Sequence, residues 1–378
     1  MKIGFAARYN PEDKKTWSGI SYYTLQQLKK YGEVEIFQYK LPKLLQEWLT
    51  TQKSINRRWF QKHTSVEFLT SYANYFSKKL TRELKKRPVD VLFVSASSQM
   101  IAYVETDIPV IYMTDATFQQ LQGYYPGFSN LARYNVRKGI ELDKKAFQKA
   151  SHCMLASDWN KISAVNDYGI NSGKISVAPC GANLDRIPNA EEINFKRNGI
   201  CNLLFLGVDW ERKGGDIALE TYRKLKQDGI NAHLHIIGCV PPYEIKDSGI
   251  TVIPYLDKNK DEDFRQLHQI FLQTDCLLLP TRAECAGIVF SEASAYGIPS
   301  ITTDTGGVST YVKDGINGFA LPHSAAAGSY AEKIGQLFFD QHAFRNLKQS
   351  ARKYYEEKLN WDHWGYQFQK IAGQLIRL

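Results

Sequence analysis

Short apolar runs alternate with longer amphipathic stretches along most of this chain. In the first half the runs are KIGFAAR, EVEIFQY, DVLFVSA, PVIYMTD, HCMLAS and KISVAP, and in the second half NLLFLG, AHLHIIG, ITVIPY, DCLLLP and PSITTD. Several are continuously apolar, as expected of strands covered on both faces, and the stretches between them read as helices. Strands separated by helical segments predict a parallel sheet, and two such series predict two doubly wound sheets. The pattern weakens at DRIPNAEEINFKRNGIC, which is polar and without a strong period, so the linker is placed at 185–198. That gives a first domain over 1–190 and a second over 191–361. The last stretch, LNWDHWGYQFQKIAGQLIRL, reads as a helix. No solenoid-length repeat and no low-complexity segment interrupts the layout.

Length and composition agree with two cores. A chain of 378 residues exceeds what one hydrophobic core usually supports, and 43% hydrophobic residues with 13% aromatics supply material for both. The six cysteines (Cys153, Cys180, Cys201, Cys239, Cys276, Cys285) form no C-x-x-C pair and sit in or beside apolar runs, so they read as small buried residues of a reducing compartment. MKIGFAARYN enters a strand directly, and no window reaches the roughly 18 to 20 apolar residues of a spanning helix. The expectation is a soluble, cytoplasmic protein.

The net charge of +9 is unevenly spread. Residues 1–186 hold 27 Lys and Arg against 16 Asp and Glu, a net of +11, and the remainder carries −2. The densest part, Lys40 to Arg87, interleaves Leu, Trp and Phe with Lys and Arg. Helices of that composition either rest on an anionic membrane surface, as on the inner face of a membrane, attract an acidic acceptor, or pack one side on the core with the other solvated. No recognised nucleic-acid motif accompanies the charge, so nucleic acid is not an expected partner.

The segment TRAECAGIVFSEASAYGIP, Thr281 to Pro299, carries the most chemistry. The run CLLLP before it reads as a buried strand, Thr281 to Glu284 as a turn, and a helix is expected to start near Ala286 or Gly287 and run to Tyr296. At the carboxyl end of a parallel strand, the positive dipole end and exposed N–H groups of a new helix suit a phosphate. Ala286, Gly287 and Ile288 form that start, and Gly287 removes the side chain that would block the approach. Glu284 and Glu292 sit among small and apolar residues, where a charge needs a partner. Both can flank one ligand with its phosphate between them, and ribose or sugar hydroxyls are suitable donors to them.

That segment resembles the Glu-x7-Glu signature of retaining glycosyltransferases of the GT-B fold, specifically glycosyltransferase family 4. The usual form is E-G-F-G-x-x-x-x-E and this chain reads E-C-A-G-I-V-F-S-E, departing at Cys285 and Ala286. The likeness continues through Gly306, Gly307 and KDGINGFALP, and through FLGVDWERKGGDIALETY. The resemblance implies an α/β protein of two Rossmann-like domains facing a cleft, with a terminal helix over about 362–378 crossing back to the first. It also implies a metal-independent, retaining hexosyltransferase that uses a nucleoside-diphosphate sugar as donor, needs no cofactor, and acts on a glycan, lipid or small-molecule acceptor.

Further site residues follow from the same resemblance. Lys213, six residues after Gly207, matches the family's donor-phosphate lysine, ahead of a helix expected to start near Asp216. The family's arginine directly after the glycine is Val208 here, and Arg212 either supplies the missing charge or is a surface arginine beside a turn. Gly19, before a helix in TWSGISYYTLQQLKK, resembles the small-residue loop that approaches donor phosphates and acceptor. Asp115 stands where many members have a histidine that meets the donor sugar, and it either bonds a sugar hydroxyl, orients the acceptor or caps a helix. Glu284, Lys213 and Asp115 are the catalytic candidates; Glu292, Gly287, Ala286, Ile288, Arg212, Gly207 and Gly19 bind the donor. Replacing Glu284 or Lys213 with Ala is expected to abolish transfer with the fold intact. A GT-B epimerase, a phosphorylase or a silent nucleotide-sugar binder remain alternatives.

Three other signals are set aside at this level. Asp261 and Asp263 form a D-x-D in a polar loop leading into a helix and are not read as a metal site. His233 and His235 share one face of a strand without a third ligand. The tyrosine-rich segments (Tyr22, Tyr23, Tyr124, Tyr125) either stack on sugar rings or belong to the core. Asn183 and Asp185, in a loop resembling the family's near the hinge, read as structural.

Overall fold

The computed structural model describes residues 1–193, 195 and 199–377, and the side chains at 52, 55–57, 59 and 60 fall outside the description. The end of the expected linker at 185–198 and part of the basic stretch 40–87 therefore lie outside the described residues. The chain forms two compact units, one of Met1–Ala178 together with the segment from Gly365 onward, the other of Pro179–Trp364.

The first unit runs β1 (Lys2–Ala7), α1 (Ile20–Lys29), β2 (Glu33–Phe37), α2 (Lys43–Phe60), α3 (Thr70–Lys86), β3 (Val91–Ser95), α4 (Ser98–Ile101), β4 (Val110–Thr114), α5 (Phe118–Leu121), α6 (Arg133–Lys149), β5 (His152–Leu155), α7 (Asp158–Asn166) and β6 (Ile175–Val177). Its strands make one parallel sheet in the order β2-β1-β3-β4-β5-β6. The inner strands β3 and β4 are buried at every position, which explains why their sequences are continuously apolar and do not alternate. Edge strand β2 is only partly buried and takes two glutamates.

The second unit contains β7 (Cys201–Leu206), α8 (Trp210–Lys213), α9 (Gly215–Gln227), β8 (Ala232–Ile237), β9 (Ile250–Ile253), α10 (Asp261–Gln273), β10 (Cys276–Leu279), α11 (Ile288–Ala295), β11 (Ser300–Thr303), α12 (Val308–Tyr311), β12 (Gly318–Leu321), α13 (Ala327–Phe339) and α14 (Gln341–Glu357). Its sheet is again wholly parallel, in the order β12-β11-β10-β7-β8-β9. The sequence reading supplied five of these strands. The sixth, β12, lies inside KDGINGFALP, where a glycine-opened run of four residues gives too little period to register as a strand. Gly318 is required there because a Cβ would lie 2.0 Å from the Ser300 carbonyl oxygen of the neighbouring strand.

The final helix, α15 (Trp361–Ile376), begins in the second unit and continues in the first, where Phe368 packs edge-on against Phe93 of β3 at 5.8 Å. In each sheet the chain order reverses at one point, between β1 and β3 in the first and between β7 and β10 in the second. Loops leaving the carboxyl ends of the strands on either side of such a reversal diverge and open a crevice, so these two places are where each unit can hold a ligand.

Candidate functional site

The loops after β7 and β10 meet at the reversal point of the second sheet. Gly207 follows β7, and a Cβ there would lie 2.8 Å from Cγ of Lys213, so the glycine leaves the lane through which the lysine stem passes. Asp209 caps the single turn of α8 by accepting from the Arg212 N–H at 3.0 Å. Gly214, left-handed at φ 77°, then ends that turn where a Cβ would meet the Pro280 carbonyl oxygen at 1.9 Å. Lys213 is thus the last residue of a one-turn helix, and the longer α9 begins at Gly215, beside the expected start at Asp216.

After β10 the chain turns through residues 280–287. Gly287 is left-handed at φ 67° and caps α11, whose first residue is Ile288 and whose last is Ala295. Its missing side chain also matters for space, since a Cβ would lie 2.5 Å from the Phe290 ring. Ala286 and Cys285 are buried beneath the turn. The amides of Ile288 and Val289 have no intrahelical acceptor by helix geometry, and they carry the positive end of the α11 dipole. A second chain segment closes on this place: Gly306 is left-handed, and the Gly307 N–H donates to the Glu284 carbonyl at 3.0 Å.

Both acids are buried, Glu284 to 7% exposure and Glu292 to 3%. Neither is left without a cation. Lys213 Nζ donates to the Glu284 carboxylate, and Arg212 Nη1 donates to the Ala283 carbonyl at 2.9 Å while standing 3.9 Å from Glu284 Oε2. Lys258, from the loop between β9 and α10, donates to Glu292 Oε1 at 2.5 Å. The sequence expectation had an anion lying between two acids. The structure gives each acid its own lysine, and Lys258 is a residue that sequence reasoning missed. A buried carboxylate implies a nearby cation, but nothing in the local pattern shows that it comes from 34 residues upstream.

The burial adds a stability cost to Glu284→Ala or Lys213→Ala. Removing either partner strands the other as a buried charge, which costs about 3–5 kcal/mol. Val208 is 75% exposed, and the Arg212 guanidinium stands beside Glu284.

In the first unit, Gly19 is left-handed at φ 84° and precedes α1, and the two residues before it, Trp17 and Ser18, are left-handed as well. Asp115 follows β4. It is not a helix cap, because Thr117 caps α5 and forms a reciprocal capping box with Gln120. Asp115 Oδ2 instead accepts from the Trp17 indole N–H at 3.2 Å, a contact across the sheet reversal that the sequence did not reveal. The catalytic candidates therefore divide between the units, Glu284 and Lys213 meeting in the second and Asp115 belonging to the first.

The remaining signals find structural roles. Asp261 and Asp263 lie in the first turn of α10, where Asp263 accepts from the Asp257 N–H at 2.8 Å. The rings of His233 and His235 pack at 4.5 Å, and His233 bonds the Thr251 hydroxyl. Burial holds the His235 imidazole well below its usual range, at about 4. Asn183 is buried and accepts from the Trp361 indole at 3.0 Å. All six cysteines are buried and none is in a disulfide. Among the described residues no three His, Cys, Asp or Glu side chains group as metal ligands would, and no helix is long and apolar enough to cross a membrane.

Residues 188–354 match the family described as glycosyl transferases group 1. The chain is 25% identical over 219 residues to the lipopolysaccharide glucosyltransferase WaaG of Escherichia coli strain K12, a match covering 55% of this chain and 59% of the relative. It thus spans about three-fifths of the length of the curated relatives it matches first. Its fold is similar to that of the sucrose-phosphate synthase of Thermosynechococcus elongatus, with a TM-score of 0.68 at 15% identity over 100% of this chain and 99% of that one. It is also similar to Anabaena HepE in complex with UDP and glucose, with a TM-score of 0.62 at 13% identity over 99% of both chains. The two six-stranded parallel sheets with flanking helices are the GT-B fold.

Proposed function

We propose that this protein is a glycosyltransferase that moves a hexose from a nucleoside-diphosphate sugar to an acceptor, with retention of anomeric configuration and without a metal ion, as the family 4 pattern implies. The observation that carries the reading is the convergence of Lys213, Glu284, Glu292 and the start of α11 at the reversal point of the second sheet. The match of residues 188–354 to glycosyl transferases group 1 supports it, as does the UDP and glucose bound by the similar HepE structure.

In this reading the diphosphate meets the α11 amides and the Lys213 ammonium, the ribose hydroxyls donate to Glu292, and the sugar hydroxyls donate to Glu284. As the bond from sugar to phosphate stretches, negative charge grows on the leaving diphosphate. Fixed N–H groups and an ammonium stabilise that charge more in the transition state than in the ground state, and such groups need no reorganisation. The ammonium already faces a carboxylate, so the donor enters a neutral pair and not a bare positive pocket. The basic first unit takes the acceptor, and its charge is suited to an acidic acceptor or an anionic membrane surface.

The test is turnover with UDP-, GDP- and ADP-sugars, each with and without a panel of acceptors, in buffer containing EDTA. The reading expects release of nucleoside diphosphate from one donor, faster with acceptor present, and unchanged by the chelator. Conversion of the donor to an epimer without acceptor, or no release from any donor, would overturn it.

A further inference from the structure

A cavity of 160 Å³ lies in the second unit beside the carboxyl ends of β10 and β11. The sheet order makes the β7–α9–β8 and β10–α11–β11 connections run in opposite directions, and right-handed crossovers then place α9 and α11 on opposite faces. Packing agrees, since α9 lies on α13 and α11 on α14. Ile217 of α9 and Tyr330 of α13 line the cavity, so it belongs to the face opposite α11. None of Lys213, Glu284, Gly287 or Glu292 borders it.

Its wall holds hydrogen-bond donors that the protein leaves unspent. Arg282 Nη1 donates to the Glu211 carbonyl, and Nη1 with Nη2 grips both oxygens of Asp216 at 2.8 and 2.7 Å. The Nε–H and the second Nη2–H have no acceptor among the described residues, and they lie side by side on one edge of the guanidinium fork. Thr303 and Tyr330 are 4% and 1% exposed, and their hydroxyls share one hydrogen bond at 2.8 Å. Burial raises the Tyr330 phenol above its usual range, so it keeps its proton. Two hydroxyl protons and one shared bond leave one buried donor without an acceptor among the described residues, which is costly unless something in the cavity accepts from it. The lining also holds His323 and no Asp or Glu, while Ile217, Pro280 and Ala325 give it an apolar wall.

We propose that this cavity is a binding site for a compact organic carboxylate. The two carboxylate oxygens match the adjacent N–H groups of Arg282 in a bidentate pair, and the spare hydroxyl donates to a further oxygen of the ligand. The short carbon body then lies on Ile217, Pro280 and Ala325. An engineered cavity of about 150 Å³ in another protein holds benzene, so the ligand has roughly six to nine non-hydrogen atoms. A phosphate has the charge but would press hydrated oxygens against the apolar wall, and a metal ion or amine would meet the Arg282 cation. Asp216 already neutralises Arg282 from its other edge, so the dissociation constant is on the order of 1 mM. The site shares no residue with the donor groups and does not depend on the glycosyl-transfer reading.

Saturation-transfer NMR with butyrate, lactate, pyruvate and benzoate, each beside its amide, tests the site, with inorganic phosphate as a competitor. The proteins compared are the unmodified chain, Arg282→Lys, which keeps the charge toward Asp216 and loses the fork, and Ala325→Leu, which fills the cavity and removes no polar group. Unfolding midpoints are read for all three, so that Ala325→Leu decides should Arg282→Lys fail to fold. At least one carboxylate is expected to bind the unmodified protein, with binding about tenfold weaker for its amide and about tenfold weaker in each variant. Failure of every carboxylate to bind, equal binding of acid and amide, or unchanged binding in Ala325→Leu would overturn the proposal. Displacement of the carboxylate by an equal concentration of phosphate would overturn the ligand class, since the site would then read charge alone.

Discussion

Lys213 and Glu284, 71 residues apart, form an ion pair whose side chains are each only 10% exposed, and it joins the loops that leave β7 and β10. Those strands are neighbours in space because the chain reverses its order there, so the pair is a product of topology. It also gives stability and chemistry a common source. The lysine that would meet a departing diphosphate is held, in the free protein, by the acid that would meet the sugar.

A double-mutant cycle on this pair separates the two roles. Lys213→Met and Glu284→Gln each remove one charge with little loss of volume, and each is expected to destabilise the protein by about 3 kcal/mol. The double variant should fall well short of the sum, because no buried charge is left unpaired. Urea unfolding measures the cycle. Turnover should fall about 100-fold or more in all three variants, with no recovery in the double variant. Additive stabilities would contradict a coupled pair.

Gly287 is set by backbone and space together. Gly287→Ala puts a Cβ at φ 67° and 2.5 Å from the Phe290 ring, so the start of α11 must shift. The expected cost is about 2–4 kcal/mol. Donor affinity should fall more than tenfold as the amides of Ile288 and Val289 move, whereas an alanine variant with unchanged unfolding midpoint and affinity would show that the cap geometry is dispensable.

Asp143 of α6 gives a pH signature in the first unit. It is buried, accepts from the Phe118 N–H at 2.6 Å, and burial raises its pKa to about 6 from an ordinary 3.8. The folded state holds this proton more tightly than the unfolded chain. Its contribution is therefore fully present below about pH 4 and is lost as pH rises through about 6. Relative to Asp143→Asn, which can still accept from the amide, the unmodified protein should lose about 2–3 kcal/mol of stability between pH 4 and pH 7. Parallel stability curves for the two proteins would rule this out.

What the sequence disclosed followed from short-range rules. The inner strands are apolar at every position because both faces are covered, and acids set among Cys285, Ala286 and Ile288 could only be partnered or bound. That Glu284 and Glu292 are partnered was legible for that reason, whereas Lys213 was singled out through family resemblance and its pairing with Glu284 was not foreseen. Lys258 was not, because DKNKD has the composition of any solvated loop and its partner lies on another helix. Nor was the bond from Trp17 to Asp115, since left-handed backbone at a tryptophan and a serine carries no glycine to mark it. β12 escaped because its four residues begin with a glycine needed for close strand contact.

The central claim is that the second unit grips a nucleoside diphosphate with Lys213, Glu292 and the start of α11. Isothermal titration of UDP, GDP and ADP into the unmodified protein, Lys213→Met and Glu292→Gln tests it most directly. One of the three nucleotides should bind the unmodified protein, and each substitution should weaken that binding about tenfold or more, as the loss of one charge-assisted hydrogen bond requires. Absence of heat with all three nucleotides, or the same dissociation constant in all three proteins, would contradict the account.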